Sequence, residues 1–216
     1  MALSDSRPLN ALPLGGGAYA EIPSHNSALL VNPRNGERYV DSKLGRVFSQ
    51  ANTPLGTAIP LYTATDLIGV IVIANPASSG VDLEILEYSC AWASGTSAFA
   101  AVGLMVRPLN ATTLSAHATT TPFNANAFGG QASLANSSNA GQNTVSAGVA
   151  ADWKRTVGNM NLEADTGTAH AVTPGIVYEP KGSLILPPGT FIYPAATKAS
   201  VALFAQHFIW KEIVRA

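Results

Sequence analysis

The stretch from Lys181 to Glu212, KGSLILPPGTFIYPAATKASVALFAQHFIWKE, constrains the fold of this chain more than any other. Ser183 to Leu186 is a short apolar run, and Pro187-Pro188-Gly189 turns it, because proline presets φ and glycine accepts φ > 0. Thr190 to Tyr193 is a second β-type run, followed by a turn over Pro194 to Lys198. Val201 to Trp210 is then the longest strand candidate. One face carries Val201, Leu203, Ala205, His207 and Ile209. The other carries Ala202, Phe204, Gln206, Phe208 and Trp210. A strand apolar on both faces sits between two layers or against another subunit. A chain that ends this way reads as a β-sandwich closed by its last strand.

The preceding residues agree. Leu67 to Ala74, LIGVIVIA, is a continuous β-branched run and reads as one buried strand. Asn75 to Gly80 is a loop. In Val81 to Ser94, Val81, Leu83 and Ile85 alternate with Asp82 and Glu84. At Ile85-Leu86 the phase slips, and Leu86, Tyr88, Cys90 and Trp92 take over the inner face. One slip in a long strand predicts a β-bulge. Ala98 to Val106 is another strand, Gly56 to Leu61 a short edge strand. Further strands fall within Asp152 to Leu162 and within Ala169 to Tyr178, the latter interrupted by Pro174-Gly175. No long segment shows an apolar stripe of helical period with caps. About eight short strands with few helices predict an all-β, jelly-roll-like β-sandwich.

Two segments stand apart from this body, residues 51–216. Residues 1–50 read as an extended N-terminal arm, with Pro8, Pro13, Pro23 and Pro33, a Gly15-Gly16-Gly17 run, and a turn at Asn32 to Gly36. Alone it buries too little to offset roughly 1–2 kcal/mol of ordering entropy per residue, so a neighbouring subunit is expected to hold it. Residues 108–151 form a long loop with no Asp, Glu, Lys or Arg. It reads as folded over its own body or packed between subunits.

Charged residues are only 12% of the 216, apolar residues 47%, and the net charge is −1. Neither nucleic acid nor an anionic membrane is an expected partner, since both call for a basic surface. No uninterrupted apolar run approaches the ~20 residues of a membrane helix, and no signal peptide is read at the start. So little charge suits a surface covered by other protein chains. Cys90 is single and reads as a buried, inert thiol.

Chemistry is scarce. His25, His117, His170 and His207 have no partner at ligand spacing, so no metal or cofactor is expected. Asp82, Glu84 and Glu87 read as a solvated or subunit-contact face, and Glu163 with Asp165 as a loop. No nucleophile elbow, phosphate loop or dinucleotide fingerprint occurs. The expectation is a protein that is not an enzyme. The partner-contact candidates are Arg7, Arg34, Arg38 and Arg46 of the arm, Trp153, and Phe204, Phe208 and Trp210 of the last strand.

Leu67 to Thr96, LIGVIVIANPASSGVDLEILEYSCAWASGT, resembles a pattern of tailed-bacteriophage virion proteins. In it an apolar strand ends in an Asn-Pro loop and a longer strand closes on Ser-Gly-Thr. Gly182 to Glu212, with Leu186-Pro187-Pro188-Gly189 and the spaced Phe208, Trp210 and Glu212, is similar to the end of the same proteins. These are jelly-roll cement, or decoration, proteins. The resemblance covers under a third of the chain and carries no catalytic residues. It implies a homo-oligomer, dimer or trimer, on the capsid exterior of a virion, made in the host cytoplasm. It would bind and bridge major capsid subunits. The alternative is a phage tail or fibre module that binds host-surface glycans, with Trp92, Trp153 and Trp210 as sugar platforms; a third class is a jelly-roll lyase or hydrolase.

Overall fold

The computed structural model describes residues 38–68, 70–95, 100–110, 114–116, 121–126, 130–138, 142–145, 150–160, 175–199 and 201–215. In chain order it contains a one-turn helix α1 (Tyr39–Lys43), β1 (Val47–Ala51), β2 (Asp66–Ile68), β3 (Val72–Asn75), β4 (Val81–Ser94) and β5 (Ala101–Pro108). Within the uncharged segment come β6 (Leu114–Ala116), β7 (Phe123–Asn124), β8 (Asn136–Ser138) and β9 (Gln142–Val145). A 3₁₀ turn at Ala150–Asp152 leads into β10 (Trp153–Asn159). Then follow β11 (Ile176–Tyr178), β12 (Ile185–Leu186), β13 (Thr190–Ala196) and β14 (Leu203–Val214).

These strands form two principal antiparallel sheets packed face to face. One runs β11-β4-β14-β1-β7, with β12 also paired to β4. The other runs β10-β5-β13-β3-β8. Eight of the strands carry the topology: β1, β3, β4, β5, β10, β11, β13 and β14. Each step along that series crosses from one sheet to the other, except β5 to β10, which are neighbours. That is jelly-roll connectivity, two interlocked Greek keys. All of the strands lie in one compact unit, Asp41–Ala216.

The last strand sits in the middle of its sheet, paired to β4 along its whole length and to β1 at Val47↔Lys211 through Ala51↔His207. Its inward face carries Phe204, Gln206, Phe208, Trp210 and Glu212, all buried. Phe48 stacks on Trp210 at 6.1 Å and Tyr88 meets Phe208 at 4.8 Å. From the facing sheet, Val102, Leu104 and Ile192 complete this core. Aromatic pairs of this kind add to the transfer energy of burial itself. The predicted slip in β4 is present: Ile209 faces Glu87 and Trp210 faces Ile85, so the register steps over Leu86. Beyond the bulge Tyr88 and Cys90 are buried as expected, but Trp92 is exposed, next to a second register break between Leu203 and Phe204.

β13 is buried on both sides. Ile192 and Ala196 face the sandwich, while Phe191, Tyr193 and Ala195 point away from it. That second side is covered by a three-stranded sheet, β2-β9-β6, which brings Leu67, Leu114 and Val145 against it. Among the described residues the chain thus adds a third sheet over one of the two and none over the other.

Several expected boundaries shift. The arm does not run to residue 50: β1 is a paired strand of the main sheet, because Phe48 supplies a core aromatic. Residues 1–37 lie outside those described. The run Leu67–Ala74 is split between β2 and β3, which belong to different sheets, and the intervening Val70 and Ile71 point into different apolar clusters. Gly56–Leu61 makes only two single bridges, Thr57↔Phe204 and Leu61↔Ala196; Pro60 has no N–H to extend the ladder. The uncharged segment 108–151 folds onto its own body in its described parts. It extends the main sheets with β7 and β8 and supplies β6 and β9 to the third. Its composition explains this: Ser137 and Ser138 are fully buried, and Ser137 Oγ donates to Gln50 Oε1 at 2.9 Å. A charged side chain there would be unpaired, which is far costlier than a satisfied hydroxyl.

Close packing also explains Gly103. A Cβ there would come within 2.2 Å of the Trp153 ring. Truncating Trp210 to Ala should lower the unfolding free energy by about 3–5 kcal/mol in denaturant titrations. Truncating the exposed Val177 to Ala should change it by no more than about 0.5 kcal/mol.

Candidate functional site

The outward face of the β11-β4-β14-β1-β7 sheet, over which the described residues place no further sheet, is built around the other side of β14. Leu203, Ala205, His207, Ile209 and Lys211 point outward and are only half-buried, by one another and by neighbouring strands. Register places Ser89 and Ala51 on either side of His207, and Val177 beyond Ser89. Small residues here leave a groove of about 490 Å³, lined by Ala51, Ser89, Ala91, Val177, Ala205 and His207 among others. Larger apolar residues stand exposed on the same face: Val177 on β11, Ile185 on β12, Phe123 on β7 and Ile213 on β14. Sheets with one face this apolar normally cover it.

Glu87 stands in the middle of the face, opposite Ile209, and the remaining charges gather at one end in ion pairs. Lys211 Nζ lies 2.9 Å from Asp41 Oδ2 and 3.8 Å from Glu84 Oε2, and Arg215 Nε lies 3.4 Å from Asp82 Oδ1. His207 lies beside Glu87 in the middle of the face. Burial lowers its pKa from 6.5, and the neighbouring Glu87 carboxylate partly offsets this. Beneath the groove, Asn52 Nδ2 donates to Thr57 Oγ1 and to the Phe204 carbonyl, each at 2.8 Å. Gln206 N donates to Asn52 Oδ1 at 2.8 Å, and Gln206 Nε2 to Thr57 Oγ1 at 3.1 Å. These groups satisfy one another and hold the turn after β1 against β14. They do not present free donors to a ligand.

Among the described residues no arrangement for chemistry accompanies the groove. Burial pushes the Cys90 thiol up to about 11, and burial also raises the Tyr88 hydroxyl well above its ordinary value. Neither is ionised near neutral pH, as a nucleophile would need to be. Among the described residues no three His, Cys, Asp or Glu side chains are grouped to hold a metal ion. His25, His117, His170, Glu163 and Asp165 lie outside the described residues. Elsewhere, the Arg107–Asp152 pair (3.1 Å) ties β5 to the turn before β10. Glu212 is buried and accepts from Ser133 Oγ at 2.6 Å and Leu134 N at 2.8 Å, which fixes the strand-bearing loop 131–135.

The predicted contact residues fare differently. Phe204, Phe208 and Trp210 are 0–1% exposed and form the core, so they are not available to a partner in this fold. The other side of the same strand is the available one. Trp153 is half-buried over Gly103, with Nε1 donating to Thr156 Oγ1 at 3.1 Å. Arg46 is exposed, while its backbone N–H donates to the Asp41 carbonyl and its carbonyl accepts from Glu212 N–H. Arg38 is half-buried just ahead of α1. Arg7 and Arg34 lie outside the described residues. Asp82 and Glu84 lie on the outward face in ion pairs. Val177 and Ile185 were missed in the sequence because strands of two or three residues carry no period.

No family model, no curated protein and no solved structure matches this chain. Among the described residues no helix is long and apolar enough to cross a membrane.

Because the folded state disfavours His207 protonation, unfolded chains bind more protons as pH falls through 6.5. Stability should therefore drop over that window. Thermal melts at pH 7.5 and 5 should show a smaller acid loss for His207→Gln than for the parent chain. Cys90 should react with a thiol reagent at pH 8 only after denaturation, since the native thiol titrates near 11.

Proposed function

We propose that this chain is a structural virion protein, a cement or decoration protein that binds and bridges major capsid subunits on the outside of a phage head. The observation that carries the proposal is the asymmetry of the layers. One sheet is roofed by the chain itself, while the other presents a broad, largely apolar face over which the described residues lay no further sheet. Such a face serves adhesion better than turnover. The low charge of the whole chain, and its resemblance to jelly-roll virion proteins over Leu67–Thr96 and Gly182–Glu212, point the same way. On this reading, the outer face and the residues ahead of Arg38 both make contacts between chains. Each contact is weak, and repetition over a shell makes them strong through multivalency.

A second reading is supported by Trp92. Its Nε1 donates to the Gly95 carbonyl at 3.0 Å, which fixes the ring while leaving it 43% exposed. A fixed, exposed indole is suited to stacking on a sugar, as a tail or fibre module would require. The other two tryptophans are buried or half-buried.

The test is co-sedimentation with shells assembled from the major capsid protein of the same phage. The full chain should pellet with shells. A variant lacking residues 1–37, which keeps β1 and the whole sandwich, should retain its thermal melt and lose attachment at least ~10-fold. A full chain that ignores shells but binds a glycan array in a Trp92-dependent manner would replace the first reading with the second.

A further inference from the structure

We infer that the cleft at Glu212 receives one alkylammonium group, the side-chain head of a lysine carried by another polypeptide. The inference goes beyond the proposed function and does not depend on it.

The buried inward row of β14 ends in Glu212, a carboxylate only 8% exposed. Its two oxygens are used unequally. Oε1 accepts from Ser133 Oγ at 2.6 Å, Leu134 N at 2.8 Å and Ala135 N at 3.3 Å. Oε2 accepts from none of the described residues. A carboxylate offers about four acceptor sites, and an idle oxygen on a largely buried one is costly. Glu212 also lines a cleft of about 280 Å³, walled by Leu44, Phe48, Val81, Leu134 and Val214. A negative charge beside apolar walls matches a cation on a hydrocarbon stem. The charge meets Oε2 and the methylenes lie along the walls.

The saturation of Oε1 selects the cation. A guanidinium grips a carboxylate best through two parallel bonds, one to each oxygen, and Oε1 is already taken by three donors. An ammonium is a compact point charge and needs one oxygen. Arg46, exposed, lines the same cleft, so the second charge of a diamine would meet a like charge there. The chain's own lysines do not serve Glu212. Lys43, Lys154, Lys181, Lys198 and Lys211 all lie among the described residues, and none forms an ion pair with it. Lys211, one residue away, is held by Asp41 and Glu84 on the outward face. Residues 1–37 contain arginine but no lysine. The lysine therefore comes from a second molecule.

The experiment is a nitrogen-15 NMR titration of the full chain with lysine capped as its N-acetyl methylamide. The Leu134 and Ala135 amides, which donate to Glu212 Oε1, should shift with a Kd of ~1 mM. Capped norleucine, which lacks the ammonium, should not bind. Capped arginine and butane-1,4-diamine should each bind at least ~3-fold more weakly than capped lysine. Glu212→Gln keeps a carbonyl oxygen for the loop and removes the charge, and should weaken binding at least ~10-fold. Should that variant fail to fold, Val214→Lys supplies a second measurement. At this exposed position two residues along the same row, it sets the chain's own ammonium over the cleft and should abolish the shifts. Norleucine binding as well as lysine, a tighter arginine or diamine, or binding indifferent to Glu212→Gln overturns the inference. So does binding seen only after Arg46→Gln or after removal of residues 1–37, because the chain's own groups would then fill the cleft. A chain that binds capped lysine but ignores shells keeps this inference and loses the capsid role alone.

Discussion

The inward row of β14 holds the sandwich together: Phe204, Phe208 and Trp210 project from the strand that sits between β4 and β1. Burying each large aromatic is worth roughly 1.5–3 kcal/mol, and the stacked contacts with Phe48 and Tyr88 add to that. β14 is also the last strand made. Until it docks, β1 and β4 have no partner between them, and the central sheet does not exist as a sheet. The fold therefore depends on pairing the two ends of the described chain, a long-range closure that favours slow folding.

The same strand explains the open face. Strands alternate sides, so placing three aromatics inward commits Leu203, Ala205, His207, Ile209 and Lys211 to the outside. Over the facing sheet the chain solves the equivalent problem internally. Phe191 and Tyr193 of β13 are roofed by β2, β6 and β9, most of which comes from the uncharged segment. Having spent that segment on one sheet, the chain has nothing of comparable size for the other among its described residues. A largely apolar face at that position is the feature that any functional account must explain.

The amino-acid pattern exposed the architecture well and the surface poorly. Period-two alternation in β4, its slip at Leu86, and the two-faced run at the C-terminus are strong signals. The all-β sandwich followed from them. The pattern could not say which face of β14 is inside, because both faces read as apolar. Residue size decides that: Phe204, Phe208 and Trp210 fill the space between sheets, and Ala205 and His207 do not. The aromatic face was therefore expected to meet a partner, although it forms the core. The split of Leu67–Ala74 was hidden for a related reason. A continuous apolar run is satisfied equally by one long strand or by two short ones in different layers. The strands of the uncharged segment left no period at all, being two to four residues long.

The central claim is that β14 has one side sealed in the sandwich and the other facing out. Hydroxyl-radical footprinting of the native chain, read by mass spectrometry, tests it directly. Trp92, Phe123 and Val177 should be oxidised readily, while Phe204, Phe208 and Trp210 stay protected until the chain unfolds. Rapid oxidation of Trp210 in the folded chain would contradict the account, because the strand would then be turned over or undocked.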